Sequence, residues 1–170
     1  SPEAYKTEAE QLFNEGKLTQ AIEAYQAAKS ASPQDPSLYV GLARIQVWAG
    51  QYEEAQKNAE YALLLNNTNA MAHAVHAWAL DFQDGKNGAA LEAIDEALKL
   101  DPNNAVIQAY YVEILVDSGF DNYEKAAEVS RVALALDPNI VETRRARGYI
   151  LNVTQNYEES IREYEEALKF

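Results

Sequence analysis

Apolar and polar residues follow one another with a helical period in ten blocks, each closed by a short polar break. Within a block, small and large apolar residues return every three or four positions, as at Ala55, Ala59 and Ala62, which is the spacing of one face of an α-helix. Gly16, Gly50, Gly85 and Gly119 stand at alternate breaks, 34, 35 and 34 residues apart. Asp101-Pro102 fills the break between Gly85 and Gly119 and Asp137-Pro138 the break after Gly119, because a residue before proline leaves the α region and proline donates no N–H. The pattern predicts helices over 3-15, 18-31, 36-49, 52-65, 70-83, 87-100, 104-117, 122-136, 140-153 and 157-169. A fixed period of this length means an array in which no pair of helices buries its own apolar face and stacked neighbours supply the core.

The residues around each glycine also return in order. Tyr5, Ala9, Leu12, Gly16, Leu18, Ala21, Tyr25, Ala28 and Pro33 are answered by Tyr39, Leu42, Ala43, Gly50, Tyr52, Ala55, Ala59 and Ala62. Ala77, Leu80, Gly85, Ala90, Ile94, Ala97 and Pro102 follow, then Leu115, Gly119, Tyr123, Ala126, Ser130, Ala133 and Pro138, then Gly148, Leu151, Tyr157, Ser160, Tyr164 and Ala167. The series resembles the tetratricopeptide repeat over essentially the whole chain. That resemblance implies an all-α fold, a right-handed superhelical α-solenoid of about five helix-turn-helix units, here 2-35, 36-69, 70-104, 105-140 and 141-170. Departures sit at Asn67 for the closing proline, Gln155 for the turn glycine, and His73 and Arg144 for the early aromatic. Unit four is two residues long through Phe120 and Asp121, which predicts a bulged turn, since lengthening a loop costs only about 0.6 kcal/mol per doubling.

Composition narrows the function. With 170 residues and 48% hydrophobic content the chain builds one cooperative array. It has no run of eighteen apolar residues and no basic-then-apolar leader, so no membrane insertion is expected. Cytoplasmic residence is the default expectation, and a removed leader would make it extracytoplasmic. The absence of cysteine excludes disulfides and thiolate chemistry but fits either redox compartment. A net charge of -13 argues against nucleic acid, which demands a basic stripe to displace phosphate counterions. Most acidic residues, among them Glu53, Glu54, Glu158, Glu159, Glu165 and Glu166, fall in second helices, which the resemblance places on the convex exterior.

The resemblance also implies that first helices line a concave groove. Helical spacing projects into it Lys6, Glu10, Phe13 and Asn14; Ser37, Val40, Arg44, Val47 and Trp48; Met71, Ala74, Trp78, Asp81 and Phe82; Val106, Ala109, Glu113, Val116 and Asp117; and Glu142, Arg145, Tyr149, Asn152 and Val153. Its centre is apolar and bears two tryptophans, the composition of a binding hot spot. The expected site is therefore a groove for an apolar or amphipathic peptide of a protein partner, made of Val40, Arg44, Val47, Trp48, Met71, Ala74, Trp78, Phe82, Val106, Ala109 and Glu113. Arg44 would anchor a ligand carboxylate, with pairing to Glu10 as the alternative, and core packing of the large aromatics competes with groove lining. A subset of the family grips chaperone tails with lysines, asparagines and an arginine. Lys6 fits that clamp, whereas Glu10, Gly41, Met71 and Val75 do not.

No catalytic constellation stands out, so the chain is expected to be no enzyme and to use no cofactor and no metal. His73 and His76 share a helix face at metal-ligand spacing, but no further ligand motif accompanies them. A second role rests on the last helix, where Ile161, Tyr164, Leu168 and Phe170 form an apolar stripe suited to self-association as a homo-oligomer.

Overall fold

The computed structural model describes residues 1–170 as ten α-helices: α1 (Pro2–Asn14), α2 (Leu18–Ala31), α3 (Pro36–Trp48), α4 (Tyr52–Leu65), α5 (Ala70–Asp81), α6 (Asn87–Leu100), α7 (Ala105–Asp117), α8 (Tyr123–Leu136), α9 (Val141–Val153) and α10 (Tyr157–Ala167). Every boundary lies within two residues of the sequence expectation, and the small shifts have local causes. Ser1, Asp35, Asn69 and Asn104 cap α1, α3, α5 and α7 by accepting backbone N–H bonds, which moves the start of α7 from 104 to 105. Phe82 caps α5 at its C-terminal end instead of continuing it. The two extra residues of unit four form a 3₁₀ turn at Phe120–Asn122.

In units one, two and five the turn between the paired helices is closed by the same two bonds. At the first, Gly16 N–H reaches Phe13 O at 2.9 Å and Lys17 N–H reaches Leu12 O at 2.9 Å, with Gly16 at φ 75°. At the last, Gln155 N–H bonds Asn152 O at 3.0 Å and Asn156 N–H bonds Leu151 O at 2.8 Å, with Gln155 at φ 66°. The geometry requires the left-handed region at that one residue, and glycine supplies it without a side-chain clash.

Burial divides the helices into two layers. The even helices bury thin lines of small residues, Ala55, Ala59 and Ala62 on α4 and Ala126, Ser130 and Ala133 on α8, while their other faces meet water. The odd helices of the middle are enclosed nearly all round, with α7 burying its whole stretch from Ala109 to Val116. One core cluster runs from Ala43 to Ile150 through units two to five, and a smaller one joins units one and two. Close approach is secured by glycine where a ring lies flat on a helix. A Cβ at Gly41 would lie 2.4 Å from the Tyr25 ring, and one at Gly148 would lie 2.8 Å from the Tyr164 ring.

Gln155 occupies a left-handed position that costs an L-residue roughly 1–2 kcal/mol. Gln155→Gly is expected to stabilise the chain by about 1 kcal/mol after the added freedom of the unfolded glycine is offset. Thermal unfolding followed by circular dichroism should show the midpoint rising by about 2–4 °C.

Candidate functional site

The concave face is built by α1, α3, α5, α7 and α9, and its centre is filled by the chain itself. Glu113 of α7, 5% exposed, receives three bonds: Trp78 Nε1 at 3.0 Å, Arg145 Nε at 2.9 Å and Arg145 Nη2 at 3.0 Å. The Arg145 guanidinium lies 4.4 Å from the Trp48 ring and 4.7 Å from the Trp78 ring, so one cation from α9 bridges α3, α5 and α7. On its other side Trp78 stacks against Tyr110 at 4.3 Å and 9°. Burial pushes the Glu113 carboxyl up, against the opposing pull of Arg145 and the Trp78 indole.

A second ionic contact closes the array. Arg44 of α3 reaches Glu142 of α9 at 3.2 Å and Glu10 of α1 at 3.5 Å, with its guanidinium 4.7 Å from the Phe13 ring. Units one, two and five therefore meet through one arginine. Between the first and last units lies a cleft of about 490 Å³, lined by Phe13, Asn14, Gly16, Leu18, Arg44, Trp48, Asn139, Ile140, Val141, Glu142 and Phe170.

The residues projected onto the groove differ widely in exposure. Trp78 is sealed, at 1% exposed, and Val47, Ala74, Ala109 and Glu113 are buried with it, so none of the five is open to a ligand. The reason is α9: its Arg145 and Glu142 lie across the groove that α3, α5 and α7 would otherwise present. Arg44 and Trp48 line the cleft, Phe82 is 43% exposed beside a second pocket, and Val40, Met71 and Val106 are half-buried against the core cluster. Arg44 takes the pairing with Glu10 that stood as the alternative to ligand anchoring. Leu18, Asn139, Ile140 and Val141 join the cleft without having been singled out. No spacing within a helix could reveal Asn139, Ile140 and Val141, because they meet Arg44 and Trp48 only through superhelical closure.

The remaining candidates are spread over different settings. Ile161 stands free on α10 and Leu168 just past its end, Phe170 sits at the rim of the cleft, and Tyr164 lies on Gly148. His73 meets the Asn67 carbonyl at 2.9 Å and His76 faces Glu60 at 3.3 Å, so the two imidazoles engage separate partners. Burial holds His76 below the ordinary histidine range. No helix is long and apolar enough to cross a membrane.

Ten helices in about five stacked pairs, with glycine at the inner turns of the first four and alanine where the pairs touch, make the fold of a tetratricopeptide-repeat array. The family profile, described as tetratricopeptide repeat, matches residues 12–79. Among solved structures, TTC0263, a thermophilic TPR protein in Thermus thermophilus, superposes with a TM-score of 0.82 at 21% identity, covering 99% of this chain and 91% of that one. MamA 41-end from Desulfovibrio magneticus RS-1 gives 0.60 at 15% identity, covering 99% and 93%. At these identities the likeness is one of fold. Human Protein O-mannosyl-transferase TMTC1 is 25% identical over 166 residues, which are 92% of this chain and 18% of that protein. The chain therefore spans under a fifth of that relative's length. The fold is that of a protein–protein interaction scaffold, and such arrays are typically non-catalytic.

Removing the cation from the centre leaves Glu113 buried without its partner. Arg145→Ala is expected to cost about 3–5 kcal/mol, read from urea unfolding, and Arg145→Ala combined with Glu113→Gln should regain part of the loss.

Proposed function

We propose that the protein is a binding scaffold that takes an apolar or amphipathic segment of a protein partner into the cleft between its first and last units. The carrying observation is the lining: Phe13, Leu18, Trp48, Ile140, Val141 and Phe170 put apolar surface around a cleft of about 490 Å³ with Asn14, Arg44, Asn139 and Glu142 among them. Convergent apolar surface with a few polar groups is the usual composition of a peptide-accepting cleft. The cleft takes over the role first assigned to the groove centre, with Arg44 and Trp48 common to both. Arg44 already has carboxylates on two sides, so it orients the walls and leaves recognition to shape and apolar contact.

The two tryptophans give the test a local reporter, since Trp48 lines the cleft and Trp78 is sealed. Peptides selected from a random display library should carry apolar anchors three or four residues apart and should change the Trp48 emission, a signal lost in Trp48→Phe. Leu18→Lys or Val141→Lys should weaken binding by about thirty-fold, the size of a hot-spot loss of about 2 kcal/mol, with the helical dichroism unchanged. Selected peptides that bind both variants as tightly as the parent would refute the cleft.

A second reading, self-association, is favoured by α10, where Ile161 is 57% exposed on the last helix of the stack and Leu168, just past its end, is 87% exposed. Sedimentation should then show a mass that grows with concentration and reverts to monomer in Ile161→Asp/Leu168→Asp; a constant monomer mass would dismiss it.

A further inference from the structure

A second pocket of about 300 Å³ opens between Phe82, Glu113, Asp117, Arg145, Tyr149 and Tyr164. Three of its walls are aromatic rings, brought from the end of α5, from α9 and from α10. Phe82 is fixed by stacking on Tyr52 at 4.8 Å and 7°, and Tyr149 by its hydroxyl, which donates to Asp117 Oδ1 at 2.5 Å. Tyr164 is seated on Gly148. The rings are thus held in place by contacts of their own.

Charge in the pocket is unbalanced. Glu113 is matched by Arg145. Asp117 has no cation of this chain to pair with, and neither does Asp81 behind it, whose Oδ1 accepts from Asn87 Nδ2 at 2.9 Å and whose buried carboxyl lies within hydrogen-bond reach of Asp117. Burial first, and then the charge of Asp117, push the Asp81 carboxyl up to about 8. At neutral pH the two acids together hold a negative charge beside the aromatic walls.

We propose that this pocket receives an arginine side chain of a partner protein, its guanidinium stacked on the aromatic walls and hydrogen-bonded to Asp117. The same face already holds a guanidinium in this way, for Arg145 is bonded to Glu113 while lying against Trp48 and Trp78. Asp117 with Phe82, Tyr149 and Tyr164 repeats that set of one carboxylate and several rings. A planar, weakly hydrated guanidinium uses both elements at once, whereas a lysine ammonium is compact and strongly hydrated. The net charge of -13 draws basic segments toward the surface before any contact forms. The pocket depends on the scaffold reading only in that the arginine belongs to a partner chain, and it makes no use of the cleft.

The test is a titration of the ¹⁵N-labelled 170-residue chain with N-acetyl-arginine amide, followed by amide chemical shifts, beside N-acetyl-lysine amide and the uncharged N-acetyl-citrulline amide. Saturable shifts are expected at Phe82, Asp117, Tyr149 and Tyr164, with a Kd on the order of 1 mM for a single side chain. Asp117→Asn, which keeps an acceptor for Tyr149, should weaken binding at least about fivefold, and Phe82→Leu about threefold. The citrulline derivative should bind at least about fivefold more weakly for want of charge. Equal binding of citrulline, or an Asp117→Asn titration identical to the parent, overturns the cation pocket, as does the absence of any saturable shift. Lysine binding as tightly as arginine overturns the choice of guanidinium. Shifts confined to Leu18, Trp48 and Val141 overturn this pocket while leaving the cleft reading standing.

Discussion

The concave centre depends on one buried carboxylate. Glu113 sits in the middle of the most enclosed helix, where an unpaired charge would be prohibitive, and it is tolerated because Arg145 and the Trp78 indole together give it three donors. The same arginine lies against two tryptophan rings that would otherwise meet water. Electrostatics and burial are therefore satisfied by one group, and that group comes from the last unit. A side chain of unit five reaches residues of units two, three and four, further than a nearest-neighbour array demands.

That reach decides the shape of the accessible surface. Arg44 ties α3 to both α1 and α9, so the first and last units approach each other and the groove between them narrows. The inner face carries two pockets of different character. The cleft is lined mainly by apolar residues; the second pocket is aromatic and acidic. Outside this layer, the even helices keep most of their carboxylates in water, where they add solubility and little stability, with Glu163 of α10 paired to Arg144 as the exception.

Much of the architecture was legible in the residues. The glycine period, the alanine lines and the Asp-Pro breaks are local signals, and local signals set helix boundaries to within two residues. Projection onto first helices also named Arg44, Trp48, Glu113, Asp117, Glu142, Arg145 and Tyr149, each of which lines the cleft or the second pocket. Their exposure was not legible. Trp78 reads as a groove residue by spacing and is a core residue in fact, because the side chains that cover it lie one and two units further on.

By itself, then, the sequence determined what depends on neighbours along the chain: ten helices, their turns, the small faces where they touch, and which helices form the inner layer. Tertiary structure alone decided that the inner layer closes on itself, that Ile140 and Val141 face Phe13 and Trp48, and that Tyr164 completes a pocket with Phe82. The reason is geometric. Superhelical closure sums small rotations over several units, so residues about a hundred positions apart, such as Arg44 and Glu142, come within a hydrogen bond of each other without any local pattern to announce it.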